Sequence, residues 1–164
     1  MDFELIVPYI PNLRRYARAL VGGRDGADDL VQDTLERAVR KFHLWKPGDL
    51  RAWLFSIMHN VFVNQLKSRR IVASVEIDEE TIAAHVPTVT GTDVMDLERA
   101  LGKLAPEQRE VVLLVALEDM SYADVSRALG IPIGTVMSRL SRGRERLKRV
   151  MDGEQPRAEL RVVQ

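Results

Sequence analysis

Apolar residues recur three and four positions apart along most of this chain, and strand-like alternation is nearly absent. The rhythm predicts a first helix from about Asp2 to Val21, interrupted at Pro8 and Pro11 and stopped by Gly22-Gly23. A second helix is expected from near Asp25 to Phe42, on the spacing of Ala27, Leu30, Val31, Leu35, Ala38, Val39 and Phe42. Trp45 to Asp49 contains Pro47-Gly48 and breaks it. A third helix should run from Leu50 to about Arg69, with Leu50, Trp53, Leu54, Ile57, Val61 and Leu66 as its buried stripe. The pattern then fades, apart from a short helix expected around Glu79 to Ala84, and returns with Val94, Leu97, Leu101 and Leu104. Pro106 opens a further helix, Glu107 to Leu117. The fold class implied is all-α, with two small helical domains at 1–70 and 94–151. A flexible acidic linker at 71–93 joins them, and a disordered tail at 152–164 follows.

The segment Ser121 to Met151 carries the sharpest local signal. Ser121 is a favoured N-cap, and Tyr122, Val125 and Leu129 follow at helical spacing. Gly130 suits the left-handed residue that ends a helix, and Pro132 cannot continue one. In the next helix Val136, Leu140, Leu147 and Val150 share one face, while Met137, Ser138, Ser141, Arg142, Glu145 and Lys148 share the other. Six bases stand against one acid between Ser138 and Arg149. This is the layout of a helix-turn-helix whose second helix enters the DNA major groove. A merely solvated amphipathic helix would show the charge without the turn chemistry.

A net charge of zero looks unpromising for a nucleic-acid partner, but it hides a pattern. Residues 1–70 carry 12 Lys/Arg against 8 Asp/Glu, residues 71–98 carry 7 acids and no base, and residues 99–149 carry 10 bases against 6 acids. Two basic blocks flanking an acidic segment fit a two-domain binder. The chain has no cysteine, which excludes disulfides and thiolate metal sites. His43, His59 and His85 are scattered, with no carboxylate at ligand spacing, so no metal and no cofactor is expected. No apolar run approaches the ~18 residues of a membrane span, and the acidic N-terminus is unlike a signal peptide. The expected location is cytoplasmic, without membrane insertion.

Two further surfaces stand out. The second helix presents Asp25, Asp28, Asp29, Gln32, Asp33 and Glu36 on its outer face. Favourable helix-dipole contacts account for Asp25 to Asp29. They do not require the stripe to continue to Asp33 and Glu36, which points to a basic partner. Catalysis by these carboxylates lacks any histidine, glycine loop or nucleophile beside them. On the third helix, Arg51, Phe55, His59, Asn60, Phe62, Val63, Asn64 and Lys67 lie off the buried stripe, with Arg69 and Arg70 downstream. Rings stack on unpaired bases, amides read edges and cations hold phosphates. Taken singly, Phe55 and Phe62 read better as core against the first helix, while Asn60, Asn64 and the cations read as a nucleic-acid face.

At this point the residues reach a family. DGADDLVQDTLERAVRKFHLWKPGDLRAWLFSIMHNVFVNQLKSRR resembles region 2 of the extracytoplasmic-function (ECF) sigma factors. LGKLAPEQREVVLLVALEDMSYADVSRALGIPIGTVMSRLSRGRERL is similar to their region 4, and together the blocks cover about residues 3–150 in the family's order. The resemblance implies that Asp28, Asp29, Gln32, Asp33 and Glu36 dock on core RNA polymerase. It also implies that the loop around His43 to Asp49 helps capture a flipped base of the promoter's minus-ten element. With the reading above, the minus-ten set is Trp45, Lys46, Arg51, His59, Asn60, Asn64, Lys67, Arg69 and Arg70. The minus-thirty-five set is Thr135, Met137, Ser138, Arg139, Ser141, Arg142 and Arg144, with Arg139 and Arg144 on phosphates.

Two positions depart from the family pattern. Met137 stands where many relatives have a basic residue, and Gly143 replaces a usual alanine at a cost of about 1 kcal/mol to the helix. The implied activity is promoter selection by a non-enzymatic subunit of RNA polymerase that assists DNA melting and answers to an anti-sigma factor. The acidic linker, Glu76 to Glu80 above all, is expected near the polymerase's nucleic-acid path. The rival readings are a sigma-mimicking interaction protein, a conventional helix-turn-helix regulator and, least supported, a small hydrolase.

Overall fold

The computed structural model describes residues 2–75 and 92–153, with side chains described for 3–69 and 96–153. Its helices are α1 (Asp2–Ile6), α2 (Ile10–Val21), α3 (Arg24–Lys41), α4 (Leu50–Val75), α5 (Thr92–Gly102), α6 (Pro106–Ala116), α7 (Tyr122–Leu129) and α8 (Ile133–Met151). Single 3-10 turns occupy Val7–Tyr9 and Phe42–Leu44. Among the described residues there is no strand. The expected short helix near residue 80, the flexibility of the linker, the tail beyond 153 and the Arg70 side chain lie outside the described residues.

Local chemistry sets most helix ends. Pro8 falls within the 3-10 turn between α1 and α2, and Pro11 sits in the first turn of α2. Gly22, at φ 81°, closes α2 in the left-handed conformation. α4 outruns its expected end by six residues and reaches Val75, because no glycine or proline stands between Leu50 and Val75 to stop it. α5 likewise begins at Thr92, inside the stretch read as linker.

The N-terminal half is a small bundle in which α2, α3 and α4 bury Leu13, Leu20, Leu30, Leu54, Met58 and Val61. In the C-terminal half α6 and α8 form the main pair, with α7 across them. The halves pack through α4 against α7 and α2 against α6, so their apolar residues form one continuous core. This explains a difference from the periodicity. α4 was expected to bury one stripe, but Phe55, Met58 and Phe62 are buried as well, since α3 covers one side and α7 another. Phe55 meets Tyr16 edge-on, with ring centroids 5.1 Å apart. Both phenylalanines are thus core residues, not exposed stacking platforms.

Candidate nucleic-acid and protein interfaces

The helix-turn-helix is built as its sequence requires. Ser121 Oγ accepts the Asp124 amide at 3.1 Å and caps α7. Gly130, at φ 66°, ends α7, its amide reaching the Ser126 carbonyl. Pro132 is the extended residue from which α8 starts. Val136, Leu140 and Gly143 turn inward, and Leu147 and Val150 are half-buried. Met137, Ser138, Ser141, Arg142 and Arg144 are exposed, while Thr135 and Arg139 are half-exposed at the margins. The first three turns of the outer face present hydroxyls and cations without a carboxylate, and Glu145, beyond them, pairs with Arg149.

Gly143 is buried for a reason that lies elsewhere in the chain. A Cβ there would come 2.7 Å from Val112 Cγ2 and 3.5 Å from the Gln108 Cβ and carbonyl oxygen. Glycine lets α8 approach α6 closely, and that contact holds the outer face of α8 in place.

On α3 the expected stripe is present: Asp28, Asp29, Gln32, Asp33 and Glu36 are all exposed. Glu36 is tied to Arg40 at 2.7 Å. None of the ion pairs among the described residues involves Asp28, Asp29 or Asp33. A cleft of about 420 Å³ between α3 and α4 sets Asp29 and Asp33 beside Asn64 and Arg69. The acidic face and part of the minus-ten set therefore adjoin. Asn60, Asn64, Lys67 and Arg69 are exposed along α4. Trp45 is half-buried with Phe42 and Trp53, ring centroids 5.3 and 6.5 Å away, which anchors the loop and leaves Lys46 exposed.

Two members of the minus-ten set sit elsewhere. Arg51 donates to the Glu118 carbonyl oxygen at 2.9 Å, and His59 Nδ1 lies 2.7 Å from Glu110 Oε1. Both contacts join the two halves. Arg15 adds a 3.1 Å bond to the Glu118 carboxylate, whose side chain is fully buried. Arg109 reaches the Leu20 carbonyl at 2.8 Å, and those of Leu101 at 2.8 Å and Leu104 at 2.9 Å. It satisfies helix-end acceptors of α2 and α5 together. Burial lowers the Arg109 pKa, against the opposing pull of Glu110 and Tyr16. Burial first, then the Glu110 and Glu118 carboxylates, hold the Tyr16 phenol well above its ordinary pKa of 10.0. The sequence reading missed Arg15, Arg109, Glu110 and Glu118. The available signal was the placement of Arg109-Glu110 and Glu118 at the two ends of the apolar run VVLLVAL.

Comparisons with known proteins agree with this geometry. The family model described as the Sigma2 domain of PhyR matches residues 6–59, and that of Sigma-70, region 4 matches residues 95–147. The chain is 36% identical over 151 residues to the ECF RNA polymerase sigma factor EcfG of Rhodopseudomonas palustris, covering 89% of this chain and 82% of that one. Among solved structures it is similar to the sigma factor RpoE of Bartonella quintana, crystallised with the anti-sigma factor NepR. That match has a TM-score of 0.77 and 31% identity, and covers 93% of this chain and 97% of that one. CnrH, solved in complex with the cytosolic domain of CnrY, matches with a TM-score of 0.67 and 26% identity, over 94% and 89% of the two chains. With region 2-like and region 4 halves in order and a relative this similar along most of both chains, the protein belongs to the ECF RNA polymerase sigma factors.

Proposed function

We propose that this chain brings core RNA polymerase to promoters by holding it with one face and reading two DNA elements with two others. The single observation that carries the reading is a separation of charge: an acidic stripe on α3 and a cationic, hydroxyl-bearing face on α8. Asp28, Asp29, Gln32, Asp33 and Glu36 meet a basic surface of the polymerase. Trp45, Lys46, Asn60, Asn64, Lys67, Arg69 and Arg70 serve the minus-ten element, joined by Arg51 and His59 once the halves separate. Thr135 to Arg144 lies in the major groove of the minus-thirty-five element. Cations position the phosphate backbone and make binding salt-sensitive, while base contacts select sequence.

The polymerase performs nucleotidyl transfer; the chain itself catalyses nothing, binds no cofactor and works in the cytoplasm. Among the described residues no helix is long and apolar enough to cross a membrane. The solved relatives held by anti-sigma factors support control of this chain by a partner of that kind. The chain up to Val75 acts as the polymerase and minus-ten unit, Thr92 to Met151 as the minus-thirty-five unit, and residues 76–91 as the tether that raises the effective concentration of each at its target.

Charge reversal tests the polymerase face. Asp29→Lys with Asp33→Lys should weaken capture of core polymerase at least tenfold in a pull-down titration and leave helicity by circular dichroism unchanged. Full capture by the double variant would remove α3 from the assignment. A second reading, a sigma mimic that titrates an anti-sigma factor, draws support from the match of residues 6–59 to the Sigma2 domain of PhyR, a protein described as an anti-anti-sigma factor in its solved complex with NepR. It predicts anti-sigma binding without transcription, which the run-off assay described below separates.

A further inference from the structure

The reading face of α8 carries two large apolar side chains that the fold leaves exposed. Ile133 and Met137, one helical turn apart, are 46% and 52% exposed. The core beneath them is complete without them: Val125, Leu129, Val136 and Leu140 are buried. Gly134 follows Ile133 on the adjoining face, and a Cβ built there would meet nothing within 4 Å, so the space beside the patch is open. Its neighbours on the outer face are Ser138, Ser141 and Arg142, all exposed and all suited to base edges or phosphates.

An apolar pair within a cationic surface fits a ligand that is anionic at its rim and apolar at one spot. In the major groove that spot is the 5-methyl group of thymine, the one apolar group any base edge presents there. We propose that Ile133 and Met137 form a thymine-methyl reader, so that this chain selects a T·A pair in its upstream promoter element by apolar contact at Met137. The unbranched thioether of Met137 adapts to the methyl's position, and Gly134 allows the duplex to come close. The proposal rests on the placement of α8 in the major groove and names what one part of that helix selects.

Deoxyuridine isolates the methyl group, since it pairs as thymine does and lacks only that carbon. Each thymine of the upstream element of a promoter used by the holoenzyme is replaced singly by deoxyuridine, on either strand, and initiation is measured by run-off transcription. At one position the wild-type chain should lose about fourfold, the effect of burying one methyl-sized group. Met137→Ala should initiate on the thymine template at the wild type's deoxyuridine level and be indifferent to the replacement; Met137→Leu should restore the sensitivity. Met137 is exposed, so none of these variants threatens the core. Wild-type initiation unchanged on every deoxyuridine template overturns the reader, as does an equal loss in wild type and Met137→Ala. In that event, light scattering of wild type against Met137→Ala shows whether the patch joins two copies of the chain instead. The unmodified promoter is the first lane of the same assay, so failure of the promoter-binding role itself shows separately, as no specific product at all.

Discussion

At Gly143 a single hydrogen in place of a methyl decides how two helices meet. Helix propensity alone predicts that Gly143→Ala stabilises α8 by about 1 kcal/mol. The Val112 Cγ2 atom 2.7 Å from the new Cβ reverses the sign. Overpacking of a close helix contact costs about 1–3 kcal/mol, so the variant should unfold at lower urea concentration than the wild type. A higher midpoint would show that α6 and α8 relax around the methyl. The propensity cost was legible in the sequence; the contact was not, because Val112 lies far away along the chain. Tyr16 gives a second residue-scale expectation. Its folded-state pKa is raised, so its contribution to stability is present below the ordinary value of 10.0 and is lost as pH rises above it. Tyr16→Phe should flatten the alkaline fall in urea midpoint, and an identical fall in both proteins would place its cause elsewhere.

Elements were more legible than the contacts between them. The caps at Ser121, Gly130 and Pro132 each act through groups within a few residues, and all three perform as their chemistry predicts. The outer face of α8 follows from the same periodicity. Arg142→Ala should therefore lower minus-thirty-five-dependent initiation by about 1–3 kcal/mol of discrimination while core-polymerase binding is unchanged. Normal initiation by that variant at every promoter would show that α8 does not read DNA there. α4 was half-legible. Its first stripe matched the 3-4 rhythm, and Phe55 packs on Tyr16 of α2, but α4 is also covered by α7, which no local window contains.

At the scale of the whole molecule, the polar interface between the halves is the least sequence-legible feature and the one with most consequence. Arg51 and His59 are engaged by the Glu118 carbonyl and the Glu110 carboxylate in this arrangement. Buried charges contribute little net stability, but they fix one arrangement and penalise the loss of a partner. Arg15→Ala removes the cation that pairs with the buried Glu118 carboxylate and so weakens one tie between the halves. By small-angle scattering the variant's radius of gyration should rise above the ~15 Å of a compact chain of this length. An unchanged radius would mean that the apolar contacts of α4 with α7 hold the halves together unaided.

If the proposed function holds, this one chain gives core polymerase its promoter specificity. Run-off transcription on a promoter library, with core polymerase alone and with the chain added, tests it most directly. Discrete new start sites should appear that depend on both an upstream and a downstream element and that diminish with added salt. Identical start sites with and without the chain would contradict the proposed function.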